Sequence, residues 1–284
     1  MTRLELHKES TIPLYAMVIG QPILFISYFI KSSAVSIEPR ANPDIFQIFF
    51  LIAGLIILGI TVAKYISIYI SNKNETRFIV LAALILFTIG FAIKLFKSLW
   101  NVSSDIVTAS FNTWFYNTIT LIFVACTYYM GLFGINVLFS SLPEKFTVIW
   151  KKILVLIMLV AYVLFFMDYI NQIYLYDRFG DVFGLLVQIV LLSMFGINII
   201  NIVYVSIKSF NLSRKTNDHI IRAGLRDLGL SFAIFFSAIV MILLNEVLSY
   251  IPVIETIAVM LGVIGFYFVY RGFVKPAEAS IKQK

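Results

Sequence analysis

Charged and amide side chains lie near one end of several long apolar segments in this 284-residue sequence. Hydrocarbon penalises such groups, so each one inside an apolar segment is a candidate for a functional role. The residues expected at one common level are Lys94, Lys97, Trp114, Asn117, Asp168, Gln188, Asn245, Glu246 and Glu255. Polar groups that converge from several helices favour a pocket for a small polar or charged ligand.

Within this set, the two lysines have the clearest expected partners. Lys94 and Lys97 are three residues apart, which places both on one face of a helix. We expect them to face Glu246, with Asp168 as a second acidic partner, because pairing offsets the cost of holding charge close to hydrocarbon. The alternative is that each charged side chain extends to water separately, since each lies near the end of its segment.

A second polar group, which lies deeper or toward the opposite end, consists of Lys64 and the amides Asn136, Asn198 and Asn201. Amides inside a helix bundle bond across helices, and each such bond contributes roughly 0.6 kcal/mol on average. These amides therefore predict an interhelical polar network. The alternative is a network that rearranges between two conformations.

The elements that must position these residues are transmembrane helices. Hydrophobic residues make up 61% of the chain and charged residues 13%, far from the composition of a soluble domain. A helix needs about 20 apolar residues to cross a bilayer core, and inside lipid it must satisfy its own backbone hydrogen bonds. Segments of this kind recur at 11–31, 44–70, 77–99, 112–140, 148–170, 182–208, 228–248 and 252–273.

The sequence thus predicts an all-α polytopic membrane bundle with eight transmembrane helices over residues 11–273. A short N-terminal segment (1–10) precedes it and a short cytoplasmic tail (274–284) follows. Pro22 should kink the first segment, so the alternative is seven helices plus a partial N-terminal segment. The last two helices should form an antiparallel hairpin around Pro252. Glycines expected to allow close helix approach are Gly54, Gly59, Gly131, Gly134, Gly262 and Gly265.

The distribution of basic residues predicts the orientation. With the C-terminus inside and crossings that alternate, 17 of the 22 lysines and arginines lie on the cytoplasmic side. Cytoplasmic segments are enriched in these residues, so the C-terminus is predicted to be cytoplasmic. The same bias accounts for the net charge of +7 without a nucleic-acid partner.

The sequence lacks the motifs of known enzyme classes. It contains no Walker loop, no GxSxG and no HExxH. His7 and His219 are far apart, so no histidine-based metal site is expected, and no cofactor is expected. The single cysteine, Cys126, lies among apolar and aromatic residues and should be a small buried hydrophobe.

The longest inner connection is predicted to be a loop over residues 209–227. It carries Arg214, Lys215, Arg222 and Arg226. One interpretation is an ordinary anchor beside anionic lipid headgroups. The other is a docking surface for a cytoplasmic signalling partner.

The last third of the chain resembles the seven-helix membrane sensor modules of archaeal and bacterial signalling proteins. The resemblance rests on Ser213-Arg214-Lys215 through Arg226, on Gly229 and Asn245-Glu246, and on the segment from Gly265 to Pro276. It implies a sensory role but no ligand-binding residue. Since the sequence ends soon after Pro276 without a kinase domain, such a sensor is expected to signal through a separate protein.

The resulting hypothesis is a receptor-like or sensory multi-pass protein of the cell membrane, without catalytic activity and with an unidentified small ligand. The alternative is a small-solute transporter or permease component, and an intramembrane enzyme ranks third. Transporters use broken helices and a polar site at the midplane. Here the ionisable groups lie toward the outer ends, and the middle of most segments is apolar.

Overall fold

The computed structural model describes residues 11–12, 15, 19–20, 37–38, 45–71, 73–103, 107–138, 144–174, 180–247 and 251–276. These ranges are predominantly helical. The helices are α1 (Ile45–Ser71), α2 (Glu75–Ser103), α3 (Ala109–Leu138), α4 (Glu144–Tyr174), α5 (Gly180–Lys215), α6 (His219–Val247) and α7 (Pro252–Val269), with a π-helical turn at Tyr270–Val274. Two short strands, β1 (Ile37–Glu38) and β2 (Val107–Thr108), pair antiparallel.

The predicted transmembrane segments from the second to the eighth each coincide with one of these helices. Five helical segments in the described ranges are long and apolar enough to cross a membrane. They are Ile45–Ser71, Glu75–Leu99, Lys145–Leu164, His219–Asn245 and Val253–Val274. These apolar helices are compatible with a membrane protein. Of the predicted first segment, Thr11, Ile12, Tyr15, Ile19 and Gly20 are helical, and the rest lies outside the described residues.

The outer surface of α1 has the character of a lipid-facing helix. Large apolar side chains are exposed along its length at Ile45, Phe49, Ile52, Ile56 and Ile60, whose spacing of three to four residues defines one face. A soluble helix would turn polar residues outward. An apolar stripe of this length therefore fits contact with lipid.

The predicted loop over 209–227 is wrong. Helix α5 continues to Lys215, and α6 begins at His219, so only three residues lie between them. Asp218 caps α6, since its Oδ1 accepts hydrogen bonds from the backbone N–H of Ile220 at 2.8 Å and of Ile221 at 3.1 Å. The polar residues that suggested a loop are the ends of two helices that extend beyond their apolar parts.

The chain divides into two compact units. The first comprises Met1–Asn42 and Phe96–Asn198, and the second comprises Pro43–Leu95 and Ile199–Lys284. In the first unit, α3 packs against α4, and the Tyr162 hydroxyl donates to the carbonyl of Leu121 at 3.2 Å. Cys126 is buried there, which confirms its prediction as a small buried hydrophobe.

In the second unit, α6 and α7 form the predicted antiparallel hairpin. Residues that meet across it run in opposite order along the two helices, as Asp227 with Arg271 and Phe235 with Phe266 demonstrate. The side-chain Oδ1 of Asn245 accepts a hydrogen bond from the backbone N–H of Ile251 at 2.7 Å and closes the connection. Helix α1 packs parallel to α7, since Gly54 meets Val263 and Lys64 meets Tyr270 in the same order along both helices.

Aromatic rings and glycines fill the middle of the second unit. The ring of Phe266 lies 5.0 Å from that of Phe235, 5.2 Å from that of Phe87 and 5.5 Å from that of Phe91. Edge-on packing of this kind adds stability beyond the buried area. The expected close approach is confirmed at Gly54 and Gly265, where a Cβ would lie 2.7 Å and 2.6 Å from a phenylalanine ring. The prediction of close approach is wrong for Gly59, where a Cβ would meet nothing within 4 Å.

Candidate functional site

An ion pair connects two helices near the predicted outer end of the second unit. Lys94 lies in the last third of α2, and Glu255 lies in the first turn of α7, after Pro252. Nζ of Lys94 is 2.5 Å from Oε1 of Glu255, and both side chains are partly exposed. A pair that water reaches contributes on the order of 1 kcal/mol or less. It is therefore a contact that a competing charged group could displace.

Among the residues that the structure describes, Glu255 forms an ion pair with Lys94. The sequence had instead favoured Glu246, with Asp168 as a second acidic partner. The side chains of Glu246 and Asp168 lie outside the described residues, as do those of Trp114 and Asn117. For these four residues the proposed place in a ligand pocket stays a prediction.

The remaining members of the predicted pocket fall into separate units. Asn245 belongs to the second unit and is buried, with its side-chain oxygen engaged in the α6–α7 connection. Lys97 is half-buried and Gln188 is exposed, and both belong to the first unit. The structure therefore assigns Asn245 a structural hydrogen bond, and it brings Lys94 and Glu255 together.

The predicted amide network is distributed in the same way. Asn136 is half-buried in the first unit, and Asn201 is half-buried in the second. The side chain of Asn198 lies outside the described residues. The interhelical network stays a prediction.

A second ion pair lies at the opposite end of the α6–α7 hairpin. Oδ2 of Asp227 lies 2.9 Å from Nε of Arg271, and the Asp227 side chain is 4% exposed while that of Arg271 is 32% exposed. The Nε–H is not aligned for a hydrogen bond, so the contact is an ion pair held by charge. The Arg271 guanidinium also lies 5.8 Å from the ring centres of Tyr267 and Phe268, within range of a cation–π contact.

Beside this pair, α1 is joined to the end of α7. Nζ of Lys64 donates to the Tyr270 hydroxyl at 2.8 Å and lies 5.2 Å from the centre of its ring. Tyr270 and Arg271 are consecutive and begin the π-helical turn. One turn therefore carries charge-assisted contacts to both α1 and α6.

The backbones of α6 and α7 approach most closely at this same end. A Cβ placed on Gly272 would lie 3.0 Å from the carbonyl oxygen of Gly224 and 3.0 Å from the backbone nitrogen of Leu228. A Cβ on Gly224 would lie 2.5 Å from Cγ of Pro276. Both positions require glycine because the neighbouring atoms are backbone or a rigid ring.

The sequence interpretation missed this cluster, which we call the Asp227 cluster and define as Gly224, Asp227, Arg271, Gly272 and Pro276. Asp227 was placed in a loop because polar residues precede it. Two signals could have placed it in a helix. Asp218 is a preferred N-cap residue, and the apolar or small residues after it recur at helical spacing.

Helix α7 is thus held by charge at both ends, through Glu255 near its start and through Arg271 beyond its last α-helical turn. Comparisons of the chain with models of protein families, with curated proteins and with solved structures find no match.

Proposed function

We propose that the chain is a multi-pass protein of the cell membrane with eight crossings and a cytoplasmic C-terminus. The bias of basic residues supports this orientation. The parallel packing of α1 and α7 is compatible with alternating crossings, which require the second and eighth segments to run in the same direction. The count of eight includes the N-terminal segment, and seven crossings plus a partial segment is the alternative.

Reporter fusions test the topology. A reporter that is active only in the cytoplasm should be active when fused after Lys284 and inactive when inserted between Tyr174 and Gly180. A fusion before Thr11 decides between the two counts, since it reports a cytoplasmic N-terminus only if there are eight crossings. Activity of an exported-type reporter after Lys284 would contradict the orientation.

We further propose that the protein is receptor-like, and that α7 carries a signal from the outer end to the cytoplasmic end. The observation that supports this is the pair of charged contacts that hold α7, Lys94–Glu255 near its start and Asp227–Arg271 beyond its last α-helical turn. A charged ligand that binds Lys94 or Glu255 would compete with the ion pair between them. It would shift α7 to a second position if it binds that position more tightly than the first. The contacts of Tyr270 and Arg271 would then change, and a separate cytoplasmic partner would bind the altered surface.

The middle of the second unit favours this function over transport. Transporters place their binding site near the bilayer midplane, in discontinuous helices. Here α1, α2, α6 and α7 are continuous within their bounds, and packed phenylalanine rings occupy the space between them. The resemblance of residues 213–276 to membrane sensor modules points in the same direction. The transporter hypothesis therefore remains the alternative.

Spin labels at the cytoplasmic end test the relay. In a Cys126→Ser background, labels at Arg226→Cys and Lys275→Cys report the separation of α6 and α7. Glu255→Gln should change the distribution of distances, because it releases the start of α7 from α2. The exchange Lys94→Glu/Glu255→Lys should restore the original distribution, and Val253→Ala, in the same turn, should leave it unchanged.

Two results would contradict the receptor hypothesis. One is a distance distribution that Glu255→Gln does not alter. The other is accumulation of a solute against its gradient in proteoliposomes that contain the purified chain, which would favour the transporter.

A further inference from the structure

The exposed face of the C-terminal half of α5 changes from apolar to basic along its length. Ile200, Val203 and Ile207 are exposed on it, and their spacing places them on one side of the helix. Lys208 follows Ile207 directly, and Lys215 lies about two turns beyond Ile207 on the neighbouring side of the helix. This face of α5 therefore has an apolar part that continues into a basic part toward the predicted cytoplasmic end.

A cleft of about 290 Å³ lies where the two parts meet. Its lining residues are Tyr204, Ile207, Lys208, Asn211, Leu212 and Lys215. The lining thus combines apolar walls with two cationic groups and one amide. Tyrosine is a residue that favours the boundary between hydrocarbon and headgroups.

The surroundings of the cleft are positively charged. Over residues 208–227 the sequence carries five basic residues, Lys208, Arg214, Lys215, Arg222 and Arg226, and two acidic residues, Asp218 and Asp227. Arg214 and Arg226 are exposed, whereas the carboxylate of Asp227 is buried and paired with Arg271. The local field therefore attracts anions.

We propose that this cleft binds one anionic phospholipid of the cytoplasmic leaflet. Its acyl chain lies along Ile200, Val203 and Ile207. Its phosphate lies between Lys208 and Lys215, where the amide of Asn211 donates a further hydrogen bond. A lipid is favoured over an acidic protein segment because the apolar part of this face lies at hydrocarbon depth, where a soluble segment would leave its backbone unsatisfied.

Binding of phosphatidylglycerol to the full purified chain in neutral detergent tests the proposal, with phosphatidylcholine as the comparison lipid and native mass spectrometry as the measurement. A lysine near the membrane surface contributes about 1 kcal/mol to anionic-lipid binding, so Lys215→Gln should weaken phosphatidylglycerol binding about fivefold. Lys208→Gln/Lys215→Gln should weaken it roughly 25-fold if the two effects add. Phosphatidylcholine should bind weakly to every variant.

Matched variants separate the cleft from diffuse surface charge. Arg214→Gln and Arg214→Gln/Arg226→Gln remove the same charge from exposed positions outside the cleft. They should weaken phosphatidylglycerol binding much less than the corresponding lysine variants, because these arginines contribute only to the surrounding field and do not line the cleft. Ile207→Trp removes no charge but fills the apolar wall, and it should weaken binding as well. Lys215 and Ile207 are both exposed, so these single variants carry the test if the double variant does not fold.

Three outcomes would overturn the proposal. Equal weakening by the arginine controls would mean that general surface charge holds the lipid. Equal binding of phosphatidylcholine would mean that the cleft does not recognise the anionic headgroup. Competition by soluble glycerol 3-phosphate or by a polyglutamate peptide at the affinity of the lipid would mean that the acyl chain contributes nothing.

Discussion

Gly272→Val is expected to lower the free energy of unfolding by about 3 kcal/mol, because added volume in a well-packed site forces its neighbours apart. A Cβ at Gly272 already lies 3.0 Å from two backbone atoms of α6, and neither the carbonyl of Gly224 nor the N–H of Leu228 can rotate away. The helices must therefore separate at this end. The loss can be measured by unfolding in mixed micelles of increasing dodecyl sulfate fraction, followed by circular dichroism.

Gly59→Val is the matched control, because a Cβ at Gly59 meets nothing within 4 Å. Its free energy of unfolding should change by less than about 0.5 kcal/mol, as is usual for exposed positions. Gly272→Ala should lie between the two, since it adds only the Cβ. If Gly272→Val were as stable as Gly59→Val, the close approach of α6 and α7 at this position would be wrong.

The second large effect is expected at the Asp227–Arg271 ion pair, and it should differ between the two partners. Arg271→Gln leaves the carboxylate of Asp227 buried without its charge partner, which costs about 3 kcal/mol. Asp227→Asn leaves Arg271, whose side chain is partly exposed and can reach the interface, so its cost should be about 1 kcal/mol. The same unfolding measurement compares the two variants.

The double variant Asp227→Asn/Arg271→Gln should be more stable than Arg271→Gln alone, because it removes the isolated charge. Arg226→Gln is the control, since Arg226 is adjacent in sequence to Asp227 but exposed. It should leave stability nearly unchanged. Equal losses in Asp227→Asn and Arg271→Gln would mean that burial of the carboxylate does not determine the cost.

Both effects lie in a cluster that the sequence interpretation did not identify. The length of the apolar runs predicted the helices well, because a helix that crosses a bilayer must be apolar along its length whatever its neighbours are. The same criterion failed between Lys208 and Asp227, where α5 and α6 extend beyond their apolar parts. Hydropathy reports which residues can lie in lipid, whereas the end of a helix depends on caps such as Asp218.

The pairing of Lys94 with Glu255 illustrates a second feature that the sequence does not give, namely the rotation of each helix. Sequence position gives the approximate depth of a residue in its helix, so Lys94, Glu246 and Glu255 could all be assigned to one level. It does not give the rotation of each helix about its axis. Rotation is fixed by side-chain packing, here by Gly54 against Phe91 and by Gly265 against Phe235, and these contacts accompany the pairing of Glu255 with Lys94.

The sequence by itself determined the helical class, the number and order of the helices from Ile45 to Val269, the antiparallel α6–α7 hairpin and the burial of Cys126. Only the tertiary structure decided which charges meet and which glycines are indispensable. The physical reason is that the two kinds of feature depend on residues at different separations along the chain. Apolar length and turn residues act within a single segment, whereas an ion pair such as Asp227–Arg271 and a backbone contact such as Gly224–Gly272 depend on how two helices pack.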